Sequence, residues 1–148
     1  MAHYRTTIRA GVKATLIAAA TLAGTRVYVN PTDDRVTFPA LVVNDDGEDQ
    51  TARSMPADAG RAIERRYTFE VRAEVQQVGG YDDTRDTLLA QVEAALAAPG
   101  ATASGVKACT PKGCDFLQDN TGERPIAVGV QRFEALYYTT QGNPGAAL

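Results

Sequence analysis

Several residue types and motifs on which enzymes depend are missing from this chain or scarce in it. There is no tryptophan, and His3 is the sole histidine among 148 residues, so this general base could serve only a site at the N-terminus. No GxSxG, HExxH, P-loop or dinucleotide-binding motif occurs. The sequence therefore predicts no catalytic residues and indicates that the protein is not an enzyme.

An excess of positive charge is also absent. The net charge is −3 and the sequence pI is about 5.1, so the chain has no basic field to attract phosphates, which disfavours nucleic-acid binding as its main activity. Apolar residues make up 44% and charged residues 22%, as in ordinary globular proteins. We predict a single domain over residues 1–148.

Cysteine is represented by Cys109 and Cys114 alone, on either side of the turn-like residues 110–113. If that segment is a hairpin loop, the two thiols face each other and could pair in an oxidising compartment; in a cytosolic protein they would stay reduced, which we favour. These cysteines and His3 are too few for a zinc site. The acidic residues 44–49 lack the spacing of an EF-hand loop. We predict no metal and no cofactor.

A short apolar run at residues 14–24 follows basic residues, which is the outline of a secretory signal peptide. The basic residues are instead spaced four apart, along one flank of a helix: Arg5, Arg9 and Lys13. Ile8, Val12 and Leu16 fall on the neighbouring face, as in an amphipathic helix. We therefore predict a helix from Tyr4 to Ala23 that ends at Gly24, and the run is too short to span a membrane.

The clearest strand pattern lies at residues 65–78, where apolar and polar side chains alternate. We interpret Arg65 and Arg66 at its start as solvated side chains that protect a sheet edge. Shorter strands are predicted at Arg26–Val29 and Phe38–Asn44. Asp45–Gly60 is predicted to be a long acidic loop.

The second half of the chain predicts one helix and several strands. The helix begins at Asp82 or Asp83 and ends near Ala98, before Pro99-Gly100. A short strand is predicted next at Val106–Cys109, and Asp115–Leu117 is a further candidate. A final strand, Ile126–Thr139, changes phase midway, which indicates a bulge or a strong bend near Gln131 and Arg132. Residues 141–148 carry no folding signal.

This order of elements predicts an α+β fold. Helices and strands that follow one another as α, β, β, β, α, β and β suit a two-layer sandwich, an antiparallel or mixed β-sheet with two helices packed on one face.

Six segments carry a family resemblance through their order and spacing, over roughly residues 4–140. They are IRAGVKATL, RVYVNP, FPALVVNDDGE, RRYTFEVRAEV, DTRDTLLAQVEAAL and RFEALYYTT. In this arrangement the chain resembles the tail terminator family (minor tail protein U-like) of phages with long non-contractile tails.

The resemblance implies a structural virion protein with no enzymatic role. Such proteins form a ring, typically a hexamer, that caps the head-proximal end of the tail tube, stops its polymerisation and provides the surface for head-tail joining. The implied partners are further copies of the chain, the tail tube protein and a connector or stopper protein. DNA would pass through the lumen without specific binding, and no membrane would be involved. The implied location is the virion, and the host cytoplasm during assembly.

The charged flank of the first helix and the acidic loop are our candidates for the assembly interface. The residues are Arg5, Arg9, Lys13, Asp45, Asp46, Glu48, Asp49 and Arg53. Three alternatives stay open: a head-tail connector or stopper of the phage neck, a small cytosolic enzyme or ligand-binding domain, and a secreted domain with a disulfide between Cys109 and Cys114.

Overall fold

The computed structural model describes residues 2–30, 37–53, 60–77, 79–119, 122 and 124–148. In that part of the chain two helices and six strands follow one another. They are α1 (Tyr4–Ala18), β1 (Val27–Val29), β2 (Ala40–Ala52), β3 (Ala62–Gln76), α2 (Tyr81–Leu96), β4 (Ala108–Asp119), β5 (Ile126–Thr140) and β6 (Asn143–Ala147).

All six strands belong to one mixed sheet. The strand order is β1-β2-β3-β5-β4, and β6 also pairs with β5. β1 runs parallel to β2, whereas every other pair is antiparallel. α1 and α2 bury their apolar sides against the same sheet face, in one hydrophobic cluster. The predicted α+β two-layer sandwich is confirmed.

The core is built on the alternating face of β3, as the period-two pattern predicts. Its five inward side chains are at most 1% exposed: Tyr67, Phe69, Val71, Ala73 and Val75. The two helices cover them with residues spaced four apart, which are also almost fully buried: Ile8, Val12 and Leu16 from α1, and Leu88, Val92 and Leu96 from α2. This burial is the main source of stability for the sandwich.

The ends of both helices differ from the prediction. α1 ends at Ala18, five residues before the predicted Ala23, because Ala20 takes a positive φ of 50° and the chain turns towards β1. An alanine-rich run carries no local stop signal, since alanine favours continuation of a helix. α2 ends at Leu96, and its N-cap is Gly80, with Asp82 and Asp83 in the first turn.

The acidic segment after Asn44 is a strand, so the predicted loop over Asp45–Gly60 is wrong. β2 continues to Ala52 and pairs antiparallel with β3, with a bulge between Asp45 and Gly47. Residues 54–59, in the same predicted loop, lie outside the described residues. Most side chains in this half of β2 are exposed, so no apolar alternation reveals the strand in the sequence.

The two cysteines lie on one strand, so the predicted turn between them is wrong. β4 is continuous, with an irregularity between Pro111 and Gly113. Cys109 pairs with Ala135 and Cys114 pairs with Gln131, so the partners of the two cysteines are four residues apart on β5. At a rise of about 3.3 Å per residue they are roughly 13 Å apart, too far for a disulfide between them. Both are free thiols.

The predicted bulge in β5 near Gln131 and Arg132 is also wrong. The pairing between β3 and β5 is unbroken from Ile126 to Thr140, and the irregularity lies opposite, in β4. Apolar residues occur in both phases because both faces of this interior strand are buried near Val128 and Val130, which are 5% and 6% exposed.

The C-terminal segment is structured, contrary to its lack of a folding signal. β6 turns back at Gly142, where φ is 84°, and pairs with Thr139 and Thr140 of β5. Leu148 then donates its backbone N–H to the carbonyl of Tyr138. Backbone hydrogen bonds to β5 therefore hold β6 in the sheet.

Candidate functional site

Charged and polar side chains collect where the N-terminus of α1 meets β2, β3 and β5, on the helix-covered face of the sheet. Glu48 of β2 is at its centre, with a side chain only 2% exposed. Its Oε1 accepts a hydrogen bond from Arg65 Nη1 at 2.8 Å, and its Oε2 accepts one from the Tyr137 hydroxyl at 2.8 Å. Arg65 also donates through Nε to Thr139 Oγ1 at 2.7 Å. One carboxylate thereby joins three strands.

The bulge in β2 decides which acidic side chains face α1. Without it, Asp45 and Glu48 would point to opposite faces, because their separation of three residues is odd. The extra residue, Asp46, changes the phase, so that Asp45 pairs with Phe69 and Glu48 with Tyr67, both on the helix-covered face. The bulge therefore places both carboxylates against α1.

Asp45 forms the second half of the cluster. Arg9 of α1 donates through Nη1 to Asp45 Oδ1 at 2.8 Å, and the hydroxyl of Tyr67 donates to the same oxygen. Arg9 also reaches Thr6 through Nη2. Two turns of α1 are thus tied to β2 by an ion pair and to β3 through Tyr67.

His3 closes the cluster at the start of α1. It is the N-cap, and its Nδ1 accepts a hydrogen bond from the backbone N–H of Arg5 at 3.3 Å. Its Nε2 lies 3.3 Å from Arg65 Nη1 and 4.0 Å from Glu48 Oε1. Burial and then the positive charge of Arg5 lower the pKa of His3, against the opposing attraction of Glu48. His3 is therefore held in its neutral form.

The titration of the other groups follows from the same contacts. Burial by itself would raise the pKa of Glu48, yet hydrogen bonds from Tyr137, Arg65 and Gln50 lower it below its ordinary value. Burial raises the pKa of Tyr67 and of Tyr137, and the adjacent carboxylates raise both further. Glu48 therefore stays ionised and both phenols stay protonated at neutral pH, so the cluster acts as a structural tie between helix and sheet.

Most of the predicted assembly residues are engaged within the chain. Arg5 lies 3.7 Å from Glu48 Oε2, Arg9 pairs with Asp45, and Arg53 pairs with Glu64. The remaining three, which are Lys13, Asp46 and Asp49, are exposed. The structure therefore brings Arg5, Arg9, Asp45 and Glu48 together in one cluster and leaves Lys13, Asp46 and Asp49 on the surface.

Comparison with known proteins gives a match in structure and none in sequence. No protein-family profile matches the chain, and no curated protein matches it significantly. One solved structure with this fold is described as the virion of a native gene transfer agent (GTA) particle. The alignment covers 90% of this chain and 97% of that one, with a TM-score of 0.53 and 17% sequence identity. The two chains share a fold.

Arg65 is the buried cation of the cluster, so the prediction that it is a solvated side chain at a sheet edge is wrong. β3 is an interior strand and the Arg65 side chain is 8% exposed. A signal was present, because Arg65 falls in the same phase as Tyr67 and Phe69, whose side chains face the core. A charge in a core phase requires a buried partner of opposite sign. Arg66, in the other phase, is exposed and pairs with Glu64 and Glu134.

A cavity of about 280 Å³ lies between the end of α2 and the start of β4. Its walls are residues 96–102 and 106–109, most of them small and apolar. Burial raises the pKa of the Cys109 thiol in this wall to about 11, which keeps the thiol protonated and weakly nucleophilic at neutral pH. A ligand pocket needs polar groups that converge on its occupant, and the only polar side chains in this wall are those of Thr102, Lys107 and Cys109.

The part of the chain that the structure describes contains neither a metal-ligand cluster nor a membrane-spanning helix. No group of three or more His, Cys, Asp or Glu side chains is arranged there to hold a metal ion. Neither α1 nor α2 has the length and apolarity that a membrane-spanning helix needs.

Proposed function

We propose that this chain is a structural virion protein that forms a ring at the head-proximal end of a phage tail tube, stops tube polymerisation and provides the surface for head-tail joining. The observation that carries the proposal is the fold that it shares with a chain from the virion of a gene transfer agent, a phage-like particle. That likeness extends over nearly the whole of both chains. The terminator role comes from the family resemblance carried by the order and spacing of the six sequence segments.

The rest of the proposal concerns organisation and location. Residues 1–148 act as one domain. Six copies form a ring around a lumen, and DNA passes through that lumen. The net charge of −3 suits a lumen that repels phosphates and does not retain DNA. The ring resides in the virion and assembles in the host cytoplasm, on tail tube protein and then on a connector or stopper. It needs no enzymatic activity, metal or cofactor.

The exposed charges are the proposed contacts with neighbours. Lys13 lies on α1, and Asp46 and Asp49 lie on the bulged half of β2, whose far edge no other described strand covers. Arg53, at the end of β2, is 53% exposed beside Glu64. Arg5, Arg9, Asp45 and Glu48 support these contacts indirectly, since they fix the position of α1 on the sheet.

The decisive experiment measures assembly. Light scattering gives the mass of the purified protein across concentration, at low and moderate salt, with and without the tail tube protein of the same phage, and electron microscopy images the products. We expect ring-shaped oligomers, alone or on tube ends. Binding to a portal-adaptor complex in place of tubes would identify a connector or stopper. A monomer or dimer that binds neither tail tubes nor the portal-adaptor complex would overturn the proposal and favour an enzyme or ligand-binding domain.

A further inference from the structure

One edge of the sheet exposes two large apolar side chains. Phe116 and Leu117 of β4 are 56% and 54% exposed and point to opposite faces of the sheet, since they are adjacent in a strand. Arg85 covers one face of the Phe116 ring at 4.2 Å, and the ring is still more than half exposed. Among the described residues no strand pairs with this edge. Sheet edges that expose apolar groups in this way are normally covered by a partner.

The first half of β4 is protected and the second half is open. Pro111 and the irregularity between Pro111 and Gly113 interrupt the strand, and Lys112 adds a charge there. Such features prevent a further strand from pairing. From Cys114 onwards the register with β5 is regular. The segment open to a partner therefore begins at Cys114 and contains Phe116 and Leu117.

The opposite edge of the sheet, formed by β1, is also apolar and unpaired among the described residues. β1 is the last strand on that side, and its three residues, Val27 to Val29, are all apolar. Leu22 lies in the turn before β1: its carbonyl accepts a hydrogen bond from the side chain of Arg26, and its backbone N–H donates to Oε1 of Gln91 on α2. Leu22 is 45% exposed. Of the four large apolar side chains exposed in the described part of the chain, two therefore lie on the β4 edge, Leu22 lies in the turn before β1, and the fourth is Leu148.

The two edges lie at the same level of the sheet. Following the pairing across the strands, Val27 connects through Leu41, Ala73 and Gly129 to Phe116. In the same way, Val29 connects through Val43, Val71 and Gln131 to Cys114. β1 runs parallel to β2, and three antiparallel steps separate β2 from β4, so β1 and β4 point in opposite directions. A second copy in the same orientation would bring its β1 antiparallel to β4 of the first, the more stable kind of pairing.

We infer that the β1 edge of one copy of this chain pairs with the open half of the β4 edge of the next, so that the sheet continues from subunit to subunit. This inference rests on the proposed ring and names its contact. Two different edges meet, so the contact is head-to-tail, and it closes into a ring when the rotation between subunits allows. Main-chain hydrogen bonds supply affinity, and Leu22, Phe116 and Leu117 become buried.

Other occupants of the β4 edge fit less well. The free edge of β2 carries Asp45, Asp46 and Asp49, and it would place like charges near Asp115. Pairing of β4 with β4 of a second copy would leave Leu22 and the β1 edge exposed and would give a closed dimer. The head-to-tail contact covers both edges at once.

Two variants and a control test the contact under the conditions in which the wild-type protein assembles. Leu22→Lys changes the turn that leads into β1, and Leu117→Lys changes the open half of the β4 edge. Leu148→Lys is the control, because Leu148 is about as exposed and bonds to Tyr138 of β5, away from the open half of β4. We expect each edge variant to raise the concentration for half-assembly at least about tenfold, because a lysine charge would be buried in the contact, and the control to have no such effect. Circular dichroism and unfolding midpoints verify that all three variants fold.

A mixture of the two edge variants separates head-to-tail pairing from other arrangements. The Leu22→Lys subunit keeps its β4 edge and the Leu117→Lys subunit keeps its β1 edge, so the mixture has one intact junction and should stop at a heterodimer. Hydrogen exchange of the wild-type assembly should slow at β1 and at the β4 segment from Cys114. Unchanged assembly of both variants, or no heterodimer in the mixture, would overturn the proposed β1–β4 contact but not the proposed ring. A wild-type protein that never assembles overturns both.

Discussion

A single buried carboxylate, that of Glu48, accepts hydrogen bonds from Arg65 and Tyr137 and so connects β2, β3 and β5 beneath the start of α1. The pair is desolvated, so its net contribution to folding is small as long as both partners are present. Removal of one partner is different, because the other charge then stays buried without a counter-ion. Individual residues in this cluster are therefore more sensitive to change than their polar nature suggests.

Replacement of the Glu48 carboxylate should expose this sensitivity. Glu48→Gln keeps the shape of the side chain but leaves the Arg65 guanidinium uncompensated, and we expect the free energy of unfolding to fall by about 3–5 kcal/mol. The matched control is Asp49→Asn, the neighbouring exposed residue, with an expected change within about 0.5 kcal/mol. Unfolding in denaturant measures both. Equal midpoints for Glu48→Gln and the wild-type protein would contradict the role of Glu48.

The stability of the protein should also depend on the titration of His3. Its pKa in the folded protein lies below the ordinary value of 6.5, so the unfolded chain takes up the proton more readily. The contribution of neutral His3 to stability is thus complete above pH 6.5 and is lost as the pH falls through the lowered pKa. Glu48 has a lowered pKa as well, but its contribution declines only below its ordinary value of 4.5.

A substitution that preserves the helix cap isolates this effect. Asparagine caps helices well and does not titrate, so His3→Asn should flatten the dependence of unfolding free energy on pH between about pH 8 and about pH 5. Denaturant unfolding at a series of pH values gives both curves. If the two proteins lose stability in parallel as the pH falls, His3 is not the titrating group.

At the scale of whole elements, α1 is seated unusually close to the loop that follows α2. A Cβ atom added at Gly11 would overlap the backbone carbonyl of Thr102. The Thr15 hydroxyl donates to the carbonyl of Ala101 in the same loop, and the Tyr4 hydroxyl accepts the backbone N–H of Gly105 at 2.9 Å. The helix lies against this loop along much of its length.

Gly11→Ala should therefore reverse the usual effect of this substitution. In an isolated helix alanine is favoured over glycine by about 1 kcal/mol, but here the backbone clash pushes α1 away from the loop, and we expect a net loss of about 2 kcal/mol. Gly47→Ala, in β2, is the control, because a Cβ there meets nothing within 4 Å. Thermal or chemical unfolding distinguishes them. A Gly11→Ala protein more stable than wild type would contradict the close contact.

The role of the bulge in β2 is tested by deleting a residue, because a substitution leaves the number of residues in the strand unchanged. Asp46 is the extra residue between two consecutive pairs, Asp45 with Phe69 and Gly47 with Thr68. Deletion of Asp46 leaves a regular strand in which Asp45 and Glu48 still face α1, so we expect a folded protein within about 1 kcal/mol of wild type. Deletion of Thr68 on the opposite strand is the control, since β3 has no extra residue there to lose and pairs with β5 without a break.

The outcome of the two deletions is read from unfolding curves. The Asp46 deletion should retain a cooperative transition, whereas the Thr68 deletion should abolish it, because half of β3 would then turn its side chains to the wrong face. A chain that fails to fold without Asp46 would mean that the bulge itself, and not merely the phase it sets, is required.

At the scale of the whole molecule, the distribution of charge separates residues that maintain the fold from residues available to partners. Asp45 and Glu48 are engaged with α1 and the sheet, whereas Asp46 and Asp49 are exposed on the same strand. Reversal of all four charges would confuse loss of folding with loss of assembly. The useful variant changes only the exposed pair.

Charge reversal at Asp46 and Asp49 should weaken assembly and leave the fold intact. We expect Asp46→Lys with Asp49→Lys to reduce ring or tube-end binding, as measured by light scattering and tube co-sedimentation, at an unchanged unfolding midpoint. The control is Asp83→Lys with Glu93→Lys on α2, which changes the net charge equally at two exposed acidic positions. An equal loss in the control would assign the effect to net charge and remove Asp46 and Asp49 from the interface.

Local patterns in the sequence are enough to predict the class of fold and the centre of the core. Alternation along β3 and the spacing of Ile8, Val12 and Leu16 are local patterns, and each reports which side of its own element is buried. Two helices on one face of a sheet follow from these patterns without knowledge of any pairing. The buried phase of Arg65 was visible in the same way, although its partner was not.

The conformations of the acidic segment, the cysteine segment and the C-terminus follow from strand pairing in the folded chain and from no local pattern. β2 beyond Asn44 and β4 are polar or exposed edge strands, and β6 is held by backbone bonds, so none of them carries an apolar period. The cluster at Glu48 depends on Arg65 and on Tyr137, which lies 89 residues away, and on a bulge that changes the phase of the strand. Strand pairing and buried charge are non-local, because their energy belongs to two segments at once and neither segment alone records it.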